Sequence, residues 1–396
     1  MKKLQIVFLD FDDIRNPLLG AGQAKSTYEV GKRLVKKGHS VTVLSGKYPG
    51  YKDRIEAGIE YKHISVGSNN IKFNNAMYIL TVPFYISQLK ADIILECFTA
   101  PISTLFSPLW TKIPVVARPT SFEADRFSKL YHLPFTIIEK LGCRLYKYFL
   151  PFSFFLEEKM RKLNPDITCA IVPEGIEDAY FQLKRKTAKH ILFIGRYDIG
   201  QKGLDLLLEA FAKVAKKIGY PLVIAGRGPD ENKIKQTVIK MKLEKYVKVA
   251  GPKFGKQKEE LLSRALFAVI PSRHEGFSIF ALEALAAGVP LVAFDIPGLA
   301  WISDEAVMRA SKFDINEFAN LMIKATNAEL NSQMSHEARN LAKNYSWYDV
   351  AEKFEKFFYH VDYINNSNMN RAENYNNYFN FIGRKALKLF LSLINI

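Results

Sequence analysis

Short apolar runs alternate with helical patterns along the first part of the chain. The run at 4–9 is typical of a buried parallel strand, and an amphipathic helical pattern over 25–37 follows it, closed by Gly38. Strand patterns at 40–44, 92–95 and 114–117 continue the series. This alternation predicts a doubly wound α/β domain.

A second series of the same kind begins near His190. It predicts strands at 190–194, 222–225, 247–250, 267–270 and 291–293, and helices at 204–217, 231–241, 259–265 and 279–287. Pro173 and Gly175 interrupt the periodicity between the two series. We therefore expect an α/β protein with two Rossmann-like domains facing a central cleft, an N-terminal domain over 1–172 and a C-terminal one over 173–362.

The end of the chain, 363–396, does not continue the alternation of strand and helix patterns. Eight of the seventeen residues between 364 and 380 are asparagine, which indicates a weakly ordered linker. The segment 382–396 then places Leu387, Phe390, Leu391 and Ile394 at helical spacing behind a basic start. Two interpretations stay open: a helix packed on the body of the protein, or a basic amphipathic anchor at a membrane.

Composition narrows the class of protein. With 396 residues, of which 48% are hydrophobic and 24% charged, the chain can build two packed cores. Three cysteines without a C-x-x-C pair argue against a disulfide framework and a zinc site. Its apolar stretches are shorter than the roughly 18–20 residues that span a bilayer, and no signal peptide pattern opens the sequence. These features predict a cytoplasmic protein.

The net charge of +16 indicates anionic partners. Between 126 and 162, eight Lys or Arg face three Glu, with nine aromatic residues interleaved. One interpretation is a set of helices with a buried apolar side and a solvated basic side. The other is a surface that binds an anionic membrane, which would make the protein peripheral at the inner face of the cytoplasmic membrane. Nucleic acid is not expected, because no recognition motif for it is present.

Two strand ends carry candidate chemistry. Strand 190–194 is followed by Gly195 and Arg196, and Lys202 then precedes the helix at 204; glycines, two cations and a helix N-terminus suit an anion. After strand 267–270, Glu275 lies in a loop and Glu283 in the next helix. Carboxylates accept hydrogen bonds from sugar hydroxyls, and the free N–H groups near 278–281 suit a phosphate.

Three linked stretches carry a family resemblance: GRYDIGQKGLDLLLEAF, LVIAGRGPD and VIPSRHEGFSIFALEALAAGVPLVA. Together, over about 167–350, they resemble the C-terminal domain of retaining glycosyltransferases of family 4, which have the GT-B fold. The N-terminal half is similar more loosely, through the G-x-G loop at 20–22 and the interdomain link at 171–176. Glu174 stands in that link where the family usually has Asn.

The resemblance implies roles for individual residues. Arg196 and Lys202 would bind the donor diphosphate and stabilise the leaving group, and Glu275 would lie beside the donor sugar; these three form the implied catalytic set. Glu283 would hold the nucleotide ribose. The remaining implied donor contacts are Gly22, Gly195, Gly226, Gly228, Gly276, Phe277, Ser278, Ile279, Phe280 and Ala281.

The resemblance also implies a reaction without a metal or cofactor, since cations and a helix N-terminus can stabilise a departing diphosphate. The acidic run at 10–13 follows the first strand, far from the anion site in sequence, and is not interpreted as a metal site. Family members often carry a His after a central N-terminal strand, but 115–123 has none. Arg118 or Glu123 could occupy that position, and no catalytic base is assigned. The loop at 295–298 lacks the usual Gly-Gly and acid, so it is not assigned donor contacts.

Several functions compete. The favoured one is sugar transfer from a nucleotide sugar to a lipid-linked or polysaccharide acceptor at the membrane; the alternative is a GT-B enzyme acting on a small soluble acceptor. A dehydrogenase is disfavoured, because Lys25 stands where the third glycine of a dinucleotide fingerprint belongs. A basic binding module would leave Arg196, Lys202, Glu275 and Glu283 unexplained.

Overall fold

The computed structural model describes residues 2–19, 22–100, 106–122 and 124–367. The chain divides into two compact units. The first contains the described residues of Met1–Arg118, Ala124–Phe149 and Glu352–Ile396, and the second those of Pro119–Glu123 and Leu150–Ala351. The junctions at 149/150 and 351/352 precede the predicted boundaries at 172/173 and 362/363. The segment 382–396 lies outside the described residues.

The first unit is built on a mostly parallel sheet with the strand order β3-β4-β2-β1-β5-β6-β7. Only the hairpin of β3 and β4 is antiparallel among the strand pairs with a described register. Its strands are β1 (Gln5–Leu9), β2 (Ser40–Gly46), β3 (Arg54–Glu56), β4 (Ile59–Ile64), β5 (Ile93–Ala100), β6 (Val115–Phe122) and β7 (Tyr148–Phe149). Its helices are α1 (Gly22–Lys36), α2 (Ile71–Ile86), α3 (Ala124–Tyr131) and α4 (Phe135–Leu145).

The second unit is a six-stranded parallel sheet with the order β11-β10-β9-β12-β13-β14. Its strands are β9 (His190–Ile194), β10 (Leu222–Ala225), β11 (Val247–Gly251), β12 (Ala265–Ile270), β13 (Leu291–Phe294) and β14 (Val307–Ala310), preceded by the short β8 (Thr168–Cys169). Its helices are α5 (Phe154–Leu163), α6 (Asp178–Phe181), α7 (Ile199–Lys202), α8 (Leu204–Val214), α9 (Glu231–Lys240), α10 (Lys256–Ser263), α11 (Ile279–Ala286), α12 (Ile315–Lys324) and α13 (Ala328–Lys343).

The predicted alternation is confirmed, and β9 and β10 have the predicted bounds. Strands of this kind can be recognised because every side chain of β10 and β13 is buried, which requires an unbroken apolar run. Several other bounds differ by a few residues. The helix predicted over 259–265, for example, ends at Ser263, and Ala265 already begins β12. The edge strands β3 and β14 were not predicted.

The basic aromatic stretch 126–162 forms α4, most of α3 and α5, and the short strand β7. Part of it is core, as the packing interpretation expects: Cys143, Tyr146 and Phe149 are buried. Leu133, Ile137, Leu141 and Leu145, however, are all exposed. Neither interpretation therefore describes the whole stretch. Within the described residues, no helix is both long enough and apolar enough to cross a membrane.

The C-terminal helix over 347–367 returns the chain to the first unit. Glu355 forms ion pairs with Lys37 and with His39 Nε2, which lies 2.9 Å from Glu355 Oε1. Asp362 pairs with Lys2 Nζ at 3.0 Å, and the Tyr359 hydroxyl donates to the Lys2 carbonyl oxygen at 2.7 Å. These long-range contacts explain why residues after 351 pack with the first unit.

Candidate functional site

Three loops of the second unit leave the same edge of its sheet. The parallel strands β10, β9 and β12 are neighbours, so their carboxyl ends lie side by side. The loops that follow them begin at Gly226, Gly195 and Pro271. Residues that the sequence assigned to separate motifs are therefore brought to one edge.

A cavity of about 670 Å³ opens at this edge, which is within the usual size range for a small-molecule site. It is lined by Ile194, Gly195, Arg196, Gly226, Arg227, Gly228, Pro229, Glu231, Pro252, Lys253, Phe254 and Lys258. This lining contains four cationic side chains and one carboxylate. The sequence predicted Gly195, Arg196, Gly226 and Gly228 here but missed the cations at 227, 253 and 258.

Two predicted catalytic residues, Lys202 and Glu275, contact each other directly. Lys202 Nζ lies 2.7 and 2.9 Å from the two carboxylate oxygens of Glu275, and the Ser272 hydroxyl donates to Glu275 Oε1 at 2.6 Å. Both side chains are largely shielded from solvent. Arg196, in contrast, is exposed and forms no ion pair with any described residue. This strand edge thus carries the neutralised pair of Lys202 and Glu275 and the unpaired guanidinium of Arg196.

The turn that carries Lys202 is fixed by its neighbours. Asp198 Oδ1 accepts from the Gln201 N–H at 3.0 Å, and Gly203 ends α7 with a φ of +62°. A Cβ at Gly203 would lie 2.0 Å from the Pro271 carbonyl oxygen, so no other residue fits there. Arg273 binds both oxygens of Asp205 at 2.8 Å and donates to the Ile199 carbonyl oxygen. Arg273 was not predicted, although it adjoins the Glu275 loop in sequence.

Gly226 and Gly228 are required by the protein's own packing. A Cβ at Gly226 would lie 1.8 Å from the Gly195 carbonyl oxygen, and one at Gly228 would lie 2.5 Å from the carbonyl oxygen of Tyr197. The family resemblance implies that these glycines contact the donor. They line the cavity, but the contact that excludes a side chain is made between backbone segments.

The loop before α11 has a distinct conformation. Ser278 has a φ of +50°, which is uncommon for a residue with a side chain, and its hydroxyl accepts from the Ala281 N–H at 3.4 Å. Phe277 is buried and stacks on Trp301 with ring centroids 4.5 Å apart, while Trp301 Nε1 donates to the Phe277 carbonyl oxygen. The Phe277 side chain therefore packs inside the protein. Trp301 was not predicted.

The other residues of this loop differ in what surrounds them. A Cβ at Gly276 would meet no atom within 4 Å, so this glycine faces open space. Ile279 is exposed, and Phe280 packs edge-on against Phe193. Behind the loop, a Cβ at Gly298 would lie 2.0 Å from the Glu275 carbonyl oxygen. The segment 295–298 therefore packs, at Gly298, directly against the backbone of Glu275.

Glu283 is buried on α11 and has two partners. The Tyr180 hydroxyl donates to its Oε1 at 3.0 Å, and Lys258 Nζ forms an ion pair with its Oε2. Burial and the charge of Glu283 raise the pKa of the Tyr180 hydroxyl well above its usual value. The phenol therefore stays protonated and acts as a donor. The sequence predicted Glu283 but neither partner.

Several N-terminal candidates lie in the first unit. Gly22 is exposed at the start of α1, and Glu123 lies outside the described residues. Arg118 is buried on β6 with its guanidinium 4.7 Å from the ring centroid of Phe354. The ring of Phe354 is thus one contact of Arg118 within the first unit.

Acidic side chains of the run at 10–13 form hydrogen bonds and ion pairs with other residues of the first unit. Asp13 accepts from both terminal nitrogens of Arg54 at 2.7 Å and lies 2.8 Å from His63 Nε2. The Thr27 hydroxyl donates to Asp10 Oδ2 at 2.5 Å. Across the described part of the chain, no group of three or more His, Cys, Asp and Glu side chains is arranged to hold a metal ion.

Comparisons with known proteins match both halves. The model for Glycosyltransferase Family 4 matches residues 20–180, and that for Glycosyl transferases group 1 matches residues 176–345. A GDP-mannose:cellobiosyl-diphosphopolyprenol alpha-mannosyltransferase of Xanthomonas campestris is 32% identical over 141 residues, which is 34% of this chain and 37% of that relative. The chain spans about half the length, or less, of the curated relatives it matches.

Solved structures share the fold. Sucrose-phosphate synthase of Thermosynechococcus elongatus superimposes with a TM-score of 0.74 at 17% identity, over 90% of this chain and 99% of that one. HepE of Anabaena, in complex with UDP-glucose, gives a TM-score of 0.67 at 13% identity over 90% and 99%. The two family models together cover residues 20–345, and the α/β architecture is the one expected. The chain therefore belongs to the family 4, group 1 glycosyltransferases, which have the GT-B fold.

Proposed function

We propose that the protein transfers a sugar from a nucleoside-diphosphate sugar to a lipid-linked or polysaccharide acceptor at the cytoplasmic face of a membrane. The observation that carries this proposal is the cavity at the carboxyl ends of β9, β10 and β11, whose lining contains four cationic side chains and one carboxylate. The relative from Xanthomonas is named for GDP-mannose and a diphosphopolyprenol acceptor, and HepE holds UDP-glucose. Both names support a donor of this chemical class.

The chemistry of the proposal is electrostatic. When the bond between sugar and diphosphate breaks, negative charge grows on the leaving diphosphate and positive character on the sugar carbon. Arg196 is free to bind that diphosphate, and Lys202 lies at the same strand edge with its charge held by Glu275. A cation 4 Å from a phosphate charge contributes up to about 4 kcal/mol at an effective dielectric near 20, before desolvation is subtracted. Such groups supply the stabilisation that a divalent ion supplies elsewhere.

Two further features belong to the proposal through family resemblance. The anomeric configuration of the sugar is retained, and Glu275 lies beside the donor sugar. Glu275 is buried and fixed by Lys202 and Ser272, so its carboxylate has a defined position at the strand edge. A carboxylate so placed can accept hydrogen bonds from sugar hydroxyls and stabilise positive character at the reacting carbon.

The membrane part of the proposal is supported by α4 and the residues just before it. Leu133, Ile137, Leu141 and Leu145 are exposed at intervals of four and form an apolar stripe. Lys140 and Arg144 are exposed beside it. Apolar side chains flanked by cations are typical of helices that lie in the interface of an anionic bilayer.

Thermal unfolding with a panel of UDP- and GDP-sugars tests the donor class. The cognate donor should raise the melting temperature of the full chain, because a ligand that binds only the folded state stabilises it. Transfer should then proceed in EDTA and should favour an undecaprenyl-diphosphate oligosaccharide over a free sugar. No stabilisation by any nucleotide sugar would refute the proposal. Loss of turnover in EDTA with rescue by Mn²⁺ would refute its metal-independent chemistry, and preference for a free sugar would favour the small-acceptor alternative.

A further inference from the structure

The helical turn that carries Lys202 depends on neighbouring loops for its position. Its helix, α7, has only the four residues Ile199–Lys202, and a helix of this length is not stable by itself in water. Side chains from the loops after β10 and β12, the two strands beside β9, bind it. Asp230 accepts from the Ile199 N–H at 2.7 Å, and Arg273 donates to the Ile199 carbonyl oxygen at 2.8 Å.

Arg273 contacts the turn through its backbone as well as its side chain. Its N–H donates to the Gln201 carbonyl oxygen at 2.8 Å. Its two terminal guanidinium nitrogens each lie 2.8 Å from an oxygen of Asp205, which is in the first turn of α8. The guanidinium therefore connects the turn before Gly203 to the helix that follows it.

The loop of Arg273 also provides the partner of Lys202. Glu275 lies two positions after Arg273, and its two carboxylate oxygens are 2.7 and 2.9 Å from Lys202 Nζ. The pairs Lys202–Glu275 and Arg273–Asp205 therefore join the same two segments at adjacent points. A variant without the guanidinium lacks one of these two connections, so the ammonium of Lys202 is held less firmly.

The Arg273–Asp205 pair is better suited to orientation than to stability. Its side chains are 29% and 42% exposed, and ion pairs exposed to this degree contribute little to the free energy of unfolding. A guanidinium that binds both oxygens of a carboxylate is nevertheless fixed in direction, because both groups are planar. Removing the pair should therefore displace the turn without unfolding the protein.

We infer that Arg273, oriented by Asp205, is a positioning residue for the transfer reaction and acts through Lys202. This inference rests on the proposed function for the role of Lys202 at the leaving diphosphate. Stabilisation of a transition-state charge depends on where the cation is held, and a displacement of about 1 Å can cost on the order of a hundredfold in rate. Arg273 sets the place from which the ammonium of Lys202 meets that charge.

Steady-state kinetics of the full chain test the inference. The donor is the UDP- or GDP-sugar that stabilises the parent, the acceptor is an undecaprenyl-diphosphate oligosaccharide, and release of the nucleoside diphosphate is measured. Arg273→Met should lower kcat by about tenfold or more and change the donor KM by less than about threefold, since alignment matters more in the transition state than in the ground state. Its melting temperature should stay close to that of the parent.

A double-mutant cycle with Lys202→Met separates positioning from a general structural effect. Adding Arg273→Met to Lys202→Met should cause no further loss of kcat/KM, because the group that Arg273 positions is already absent. Arg273→Lys keeps a charge without the bidentate geometry and should recover only part of the parent kcat. Should Arg273→Met not fold, the same cycle with Asp205→Asn applies and should show the same lack of additivity.

Arg264→Met is the matched control. Arg264 is also 29% exposed and pairs with a glutamate, but it precedes β12, at the opposite end of that strand from Arg273. Its loss should leave kcat unchanged. If the parent neither binds nor turns over any nucleotide sugar, the proposed function and the inference both fail. If the parent is active and Arg273→Met keeps the parent kcat, or if its loss adds fully to that of Lys202→Met, the inference fails alone.

Discussion

At the scale of single residues, the site is organised by opposite charges that are close in space and distant in sequence. Lys202 and Glu275 are 73 positions apart, and the Tyr180 hydroxyl reaches a carboxylate 103 positions away. The side chains of Glu275 and Glu283 are buried, and hydrogen bonds and ion pairs to such partners offset the cost of burying a polar group. The partners also determine where each carboxylate points.

Replacing Lys202 with Met tests the first of these pairs. We expect the affinity for the cognate nucleotide sugar to fall by about tenfold or more, because a charged contact to the diphosphate is lost. Calorimetric titration measures this, and circular dichroism checks the fold, since Glu275 loses its counter-ion.

Lys186→Met is the matched control for Lys202→Met. Lys186 pairs with Glu260 at the surface and has no part in the Lys202–Glu275 pair, so its loss should leave donor binding unchanged. Lys202→Arg keeps the charge and should retain most of the affinity. Parent-like binding by a folded Lys202→Met variant would contradict the assigned role.

At the scale of elements, α4 has one buried side and one apolar side that is exposed to solvent. Its Gly142 and Cys143 are buried, while Ile137 and Leu141 are about half exposed. Exposed apolar side chains at helical spacing gain free energy when they leave water, at about 25 cal/mol per Å² of buried apolar surface. A helix of this kind is suited to partial insertion among lipid headgroups.

Ile137→Glu and Leu141→Glu together should weaken binding to vesicles that contain phosphatidylglycerol. We expect a loss of at least about tenfold in a flotation assay, because two apolar insertions are lost and two negative charges are added. The fold should be unaffected, since both side chains are already exposed.

Ile239→Glu is the matched control for the α4 variants. Ile239 lies on α9 of the second unit and is similarly exposed, so the same substitution there should leave vesicle binding intact. Vesicles of phosphatidylcholine alone should bind both proteins weakly. Parent-like binding of the double variant to anionic vesicles would exclude α4 as the membrane contact.

At the scale of the whole molecule, buried ionisable groups make stability depend on pH. Asp10 is buried at the end of β1, and burial, with a smaller contribution from Asp12, raises the pKa of its carboxyl to about 7. Asp13 behaves in the opposite way. Burial opposes the shift, but hydrogen bonds from Arg54 and His63 lower the pKa of the Asp13 carboxyl well below its usual value.

The raised pKa of Asp10 predicts whether this residue makes the folded protein more or less stable as the pH rises. In the unfolded chain this carboxyl loses its proton near pH 4, whereas in the folded protein it keeps the proton up to about pH 7. The contribution of Asp10 to the free energy of unfolding is therefore fully present below pH 4. It falls as the pH rises to 7, by at most about 1.4 kcal/mol per pH unit. Asp10→Asn should remove this decline.

Melting temperatures between pH 5 and pH 8 measure the effect. The parent should lose stability relative to Asp10→Asn as the pH rises over this range. Asp125→Asn, which replaces an exposed aspartate of the same unit, should follow the parent. A constant difference between the parent and Asp10→Asn across the range would contradict the assigned shift.

Much of the fold could be predicted because its central strands are buried on both faces. Such strands need apolar side chains at every position, so β9, β10 and β13 appear in the sequence as short unbroken runs between loops. The edge strand β3 was missed because one edge is exposed and its pattern is mixed. The helix α2 was missed because apolar residues surround it on all sides and hide the helical period.

The sequence by itself determined the α/β alternation, the family and the residues of the principal motifs, because local patterns and spacing encode these. Only the tertiary structure decided which charges meet: Lys202 with Glu275, Lys258 with Glu283, and Glu355 with Lys37 and His39. It also decided that Gly226 is needed against the backbone of Gly195 and that Phe277 stacks on Trp301. Coulombic and packing contacts depend on distance in space, which sequence separation does not record.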